Sequence, residues 1–118
     1  MAGYWTTHGP DGPAPYDDTF DKVTGDLCAE FPSPYTSVLN NRLCAAIGNN
    51  HWCNVARQYV AIQLNLLRED CGVASAFSFD SNLLAQVQSA GDALCSGSPK
   101  QFEQNSALVS ALTSYNDG

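Results

Sequence analysis

The sequence predicts an all-α fold: a small, disulfide-stapled helical domain with about three main helices and an irregular, aromatic and Pro-rich N-terminal arm. Three observations predict it. The stretch from Asn50 to Cys71 lacks Gly and Pro and repeats apolar residues at three- and four-residue steps. Two later stretches, from Leu83 to Leu94 and from Phe102 to Tyr115, repeat that period. No segment alternates convincingly beside a partner strand. A chain of 118 residues is the length of one domain, divided here into a wrapping arm over 1–33 and a helical core over 34–118.

In the arm, three Pro and three Gly between Gly3 and Asp18 argue against a helix. Tyr4, Trp5 and Tyr16 in the same stretch predict an ordered arm that lays its rings over the core, since a solvated tail rarely carries them. Asp17 and Asp18 are N-cap candidates for a short helix through Val23, ending near Gly25. Ser33 and Pro34 suit the start of another, through Tyr35, Val38 and Leu39 to about Leu43. Gly48, Asn49 and Asn50 form a turn and cap before the central helix. On that helix Cys53, Ala56, Val60, Leu64, Leu67 and Cys71 share one face, and Trp52, Val55, Tyr59, Ile62 and Leu66 make a second stripe. A helix apolar around so much of its circumference belongs at the centre, with neighbours on two sides. Gly72 is its predicted C-cap. A loop anchored by Phe77 and Phe79 leads to a cap at Asp80 or Ser81 and a helix facing inward through Leu83, Val87, Ala90 and Leu94. Gly97 ends it. Ser98 to Gln101 reads as a capping box with Pro at the first helical position. The last helix then buries Phe102, Leu108 or Val109, Leu112 and Tyr115.

Charge removes several function classes. Five Lys and Arg stand against twelve Asp and Glu, a net charge of −7. That argues against nucleic-acid binding by phosphate neutralisation and against docking on anionic lipid. No window has the apolar length of a membrane span, so membrane insertion is not expected. The first residues lack a signal-peptide pattern, which fits a cytosolic chain or a mature or excised piece of a secreted one. Cysteine weighs toward the second. Five cysteines, Cys28, Cys44, Cys53, Cys71 and Cys95, are a secreted-style complement. None forms a CxxC, so a zinc ribbon or redox pair lacks support. Cys53 and Cys71 on one helix would be roughly 27 Å apart at ~1.5 Å rise per residue, too far to bridge. The preferred pairs are Cys71 with Cys95, and Cys44 or Cys28 with Cys53, leaving one cysteine over.

Catalytic chemistry is poorly represented. Neither His8 nor His51 sits in a nucleophile fingerprint. His51 precedes Trp52, whereas a calcium-assisted secreted phospholipase requires a His–Asp pair and a Gly-rich calcium loop. Half of the twelve acids lie between Asp11 and Glu30. Asp17, Asp18 and Asp21 with loop carbonyls form a candidate site for calcium, a cation that takes six to eight oxygens. His8 could complete a transition-metal set. The competing reading of these acids is helix capping by Asp18 and solvated surface. Tyr4, Trp5 and Tyr16 are candidates for a glycan-stacking platform, although such rings more often pack.

Four blocks carry a resemblance. Gly3-Tyr4-Trp5-Thr6-Thr7-His8, Gly12 to Phe20, Ala56-Arg57-Gln58-Tyr59-Val60-Ala61 with Leu64-Asn65, and Leu112 to Gly118 occur in this order. Together they resemble a module of bacterial secreted and cell-surface proteins that opens Gly-Tyr-Trp-Lys-x-His and has no established activity. The chain departs from it in Thr6, where the module has Lys, and in Cys28, Cys44 and Cys53. The module also has cysteines flanking both ends, which implies that an odd count reflects partners beyond this stretch. The expectation is therefore a non-enzymatic extracellular structural or interaction module of a larger surface or secreted assembly, possessing a protein partner or self-associating. The alternatives are a metal-dependent enzyme built on His8 and the acidic cluster, and a small-ligand or glycan binder with its pocket between the helices and the arm.

Overall fold

A computed structural model describes residues 2–29, 31–68, 81–103 and 106–117. All regular structure among them is helical: α1 (Ala2–Thr7), α2 (Asn41–Ile47), α3 (Asn50–Leu67), α4 (Ser81–Leu94) and α5 (Ser106–Asp117). Single 3-10 turns occupy Asp18–Lys22, Tyr35–Leu39 and Pro99–Gln101. The predicted Gly72 cap, the Phe77 and Phe79 anchor, Asp80 and Cys71 lie outside the described residues, as do the side chains of Leu83 and Tyr115.

The central position of α3 follows from its composition. Trp52, Cys53, Val55, Ala56, Val60, Ala61, Ile62 and Leu64 are buried, all but Ala61 on the two predicted stripes. The helix packs against α1, α2, α4, α5 and the turns at 18–22 and 35–39. Its start is set by Asn49, whose Oδ1 accepts from the Trp52 amide at 3.0 Å, an N-cap that satisfies an otherwise free donor. Gly48 ends α2 at φ 84°, a left-handed conformation that costs a residue with a Cβ energy. Asn40 caps α2 through the Arg42 and Leu43 amides. From α4, Val87, Ala90 and Leu94 enter the core, and from α5, Leu112.

The arm departs from expectation. It opens with a helix, α1, which holds a single Gly, Gly3, because the Pro residues and the remaining Gly begin only at Gly9, after the helix is complete. The chain then folds back on that helix. Ala14 donates to the Thr7 carbonyl at 3.1 Å and Asp17 to the His8 carbonyl at 3.0 Å. A Cβ at Gly12 would lie 2.0 Å from that Thr7 oxygen, so the return needs glycine there. Asp17, not Asp18, caps the first 3-10 turn. The segment at 98–101 is a separate turn in which Ser98 makes no side-chain cap, and the last helix starts later, at Ser106.

Two disulfides close the fold: Cys28–Cys95, with Cα atoms 6.0 Å apart, and Cys44–Cys53, at 5.8 Å. The expected Cys71–Cys95 bond is thereby excluded, because the single Sγ of Cys95 is taken. Cys95 directly follows α4 and faces the arm, where Phe31 packs against Trp52 with ring centroids 5.1 Å apart.

Candidate functional site

The residues singled out from the sequence gather around α1, and most are occupied with one another. The Tyr4 hydroxyl donates to Asp17 Oδ2 at 2.7 Å. Its ring stacks on His8 at 4.1 Å between centroids, and the Arg68 guanidinium lies 5.3 Å from its centre. Arg68 Nη1 also approaches Asp17 Oδ2 at 3.6 Å. Asp17 Oδ1 accepts from the Thr19 amide at 2.9 Å. Burial pushes the Asp17 carboxyl up, but the hydrogen bonds from Thr19 and Tyr4 and the Arg68 charge outweigh it, and its pKa falls below the ordinary carboxylate value. Tyr4 is shifted up, chiefly because its proton bridges to Asp17. Tyr16 donates to Asp21 Oδ1 at 2.7 Å and is shifted up by that bond.

These contacts leave the predicted calcium set unassembled. Among the described residues no three His, Cys, Asp or Glu side chains converge as a metal would need. Asp17 and Asp21 instead serve protein donors, and His8 Nδ1 donates to the Pro15 carbonyl at 2.8 Å. The stacking platform is likewise divided. Trp5 is 1% exposed and belongs to the core, edge-on to Phe20 at 5.6 Å. Tyr4 is covered by His8 and Arg68, which leaves Tyr16, 48% exposed, as the one accessible ring of the three.

Trp5 leads to a chain of amides that the sequence did not announce. Its Nε1 donates to Asn65 Oδ1 at 2.9 Å. Asn65 Nδ2 donates to Asn116 Oδ1 at 3.0 Å. Asn116 Nδ2 donates to the Gln58 carbonyl at 3.0 Å and to Gln58 Oε1 at 2.7 Å. Asn116 is 6% exposed. This chain joins α1, α3 and α5, the first, central and last helices. Trp5, Gln58, Asn65 and Asn116 all fall within the four blocks quoted above, and their only sequence signal is that grouping: amides carry no periodicity.

One accessible hollow lies between the arm and residues 34–42. It is an open groove of about 480 Å³, with Trp5, Phe20 and Pro34 as its apolar surface and Asp11, Asn41 and Arg42 among its polar groups. A second hollow of about 320 Å³ shares Asn41 and adds Asn50, Asn54 and Arg57. Arg57 links the two, since its Nη2 donates to Thr6 Oγ1 at 3.4 Å and Thr6 borders the groove.

Set against protein-family models, curated proteins and solved structures, the chain matches none of them. Its function is read from its own residues. Two disulfides are compatible with an oxidising, extracellular setting. Among the described residues no helix is long and apolar enough to cross a membrane.

Proposed function

We propose that this chain is a non-enzymatic extracellular module that carries structure and contacts within a larger secreted or cell-surface assembly. One observation carries the reading. Four residues of its blocks, Trp5, Gln58, Asn65 and Asn116, are joined by hydrogen bonds to one another. Their polar atoms hold three helices together and do not face a substrate. Such a network supports a scaffold. The disulfides suit the same setting, and the −7 charge keeps such a module from adhering to nucleic acid.

The test is to follow fluorescently labelled, oxidised protein by sedimentation across a wide concentration range, and on washed source cells and their extracellular matrix. Self-association or saturable retention is expected. A monomer at every concentration that also washes away from cells and matrix would refute the reading. A second reading, a small-ligand binder, is favoured by the groove, whose volume of about 480 Å³ is that of a ligand site.

A further inference from the structure

We infer that the paired hollows meeting at Asn41 bind an acidic oligosaccharide, with Arg42 in one hollow and Arg57 in the other each receiving one of its carboxylates. The chain has only five Lys and Arg. Arg68 is engaged by Asp17 and Tyr4, Lys22 reaches the Leu67 carbonyl, and Lys100, on the turn at Pro99–Gln101, lines neither hollow. Arg42 and Arg57 stand at the hollows. In a molecule of net charge −7, a guanidinium at each of two adjoining hollows, Arg42 at one and Arg57 at the other, gives an acidic chain two separate anchoring points. Both retain unused donors. Among the described residues the Arg42 guanidinium has no partner, its only hydrogen bond being from the backbone amide to Asn40. Arg57 Nε is buried without a hydrogen-bond partner. Guanidinium forks match carboxylates in geometry and charge.

The other walls select the rest of the ligand. Asn41, Asn54, Thr6 and Asp11 provide amides, a hydroxyl and a carboxylate, which suit sugar hydroxyls as donors and acceptors. Pro10 and Pro34, both exposed, give an apolar strip against which the C–H face of a sugar ring can lie. The groove is open and lacks the closed apolar pocket that anchors a peptide side chain. A uronic-acid oligomer satisfies all three features at once. This inference does not depend on the scaffold reading, and self-association or its absence leaves it unaffected.

The experiment titrates isotope-labelled whole chain, at low salt, with a galacturonic acid trisaccharide and with the neutral galactose trisaccharide. Amide shifts are expected at Thr6, Asn41, Arg42 and Asn54, with the neutral sugar at least about tenfold weaker. Arg42→Gln, at an exposed position, should weaken the acidic sugar by about tenfold, as expected for losing a charge-assisted hydrogen bond. Arg57→Gln should do the same, and because Arg57 is half-buried its fold is checked by the unchanged shifts of α4 and α5. Equal binding of both sugars, no binding at millimolar sugar, or undiminished affinity in Arg42→Gln overturns the inference. So does tighter binding of an acidic peptide of the same charge.

Discussion

Asn65 is the residue on which three helices depend. It accepts from Trp5 and donates to Asn116, so removing it strands an indole N–H and an amide oxygen in a partly buried place. Asn65→Ala is expected to cost roughly 2–4 kcal/mol, the penalty for such unsatisfied groups, in urea denaturation. Trp5→Phe keeps an aromatic ring, removes one donor and leaves a small cavity, whose cost the cycle cancels. A double-mutant cycle between Trp5→Phe and Asn116→Ala should give a coupling of about 0.5–3 kcal/mol although the two residues are linked only through Asn65. Asp17 makes a different prediction. Its folded pKa is depressed, so its contribution is complete above the unfolded value of about 3.9 and is lost as pH falls through the folded value. Acid titrations followed by circular dichroism should therefore show a loss of stability below about pH 4 that is reduced in Asp17→Asn. That variant retains an oxygen able to cap Thr19 and gives up the charge.

At the scale of elements, Asn49 shows how one side chain sets a helix and its neighbour together. Its Oδ1 caps α3, while its Nδ2 donates to the Pro99 carbonyl at 2.9 Å and the Phe102 carbonyl at 3.2 Å. Asn49→Ala should cost about 2 kcal/mol, and Asn49→Ser, which keeps a cap but not the two donations, about half of that. Thermal or urea melts of the pair separate the two roles. The Asn49 cap was legible in the sequence, because Gly-Asn-Asn before a long apolar period is a local pattern. So was α3, whose two stripes are the two buried faces. The ends of the other helices were less legible. α1 was hidden by a Pro and Gly count that pooled residues before and after Gly9, and Ser98 resembled a helix start that the chain delays to Ser106. The calcium set was drawn from residues close in sequence whose oxygens turned out to have protein partners. The amide chain from Trp5 to Asn116 spans separations of 51 to 60 residues, and no local pattern encodes such contacts. Cys28–Cys95 was missed for the same reason.

Across the whole molecule the two disulfides restrict the unfolded chain unequally. Cys28–Cys95 closes a separation of 67 residues and Cys44–Cys53 one of 9. On chain entropy alone these stabilise by about 4 and about 2.6 kcal/mol. The Cys28→Ser/Cys95→Ser variant should therefore unfold at lower urea than Cys44→Ser/Cys53→Ser. The same long bridge has a mechanical meaning. If tension is applied through the two ends, the bond between Cys28 and Cys95 carries the load past the segment it encloses, a sequence separation of 67. Only about fifty residues can then pay out, roughly 180 Å at ~3.5 Å each. After reduction all 118 can extend, to roughly 410 Å. Single-molecule stretching should resolve these two lengths, with the oxidised chain behaving as a short, limited tether whose central helix is shielded from the pull.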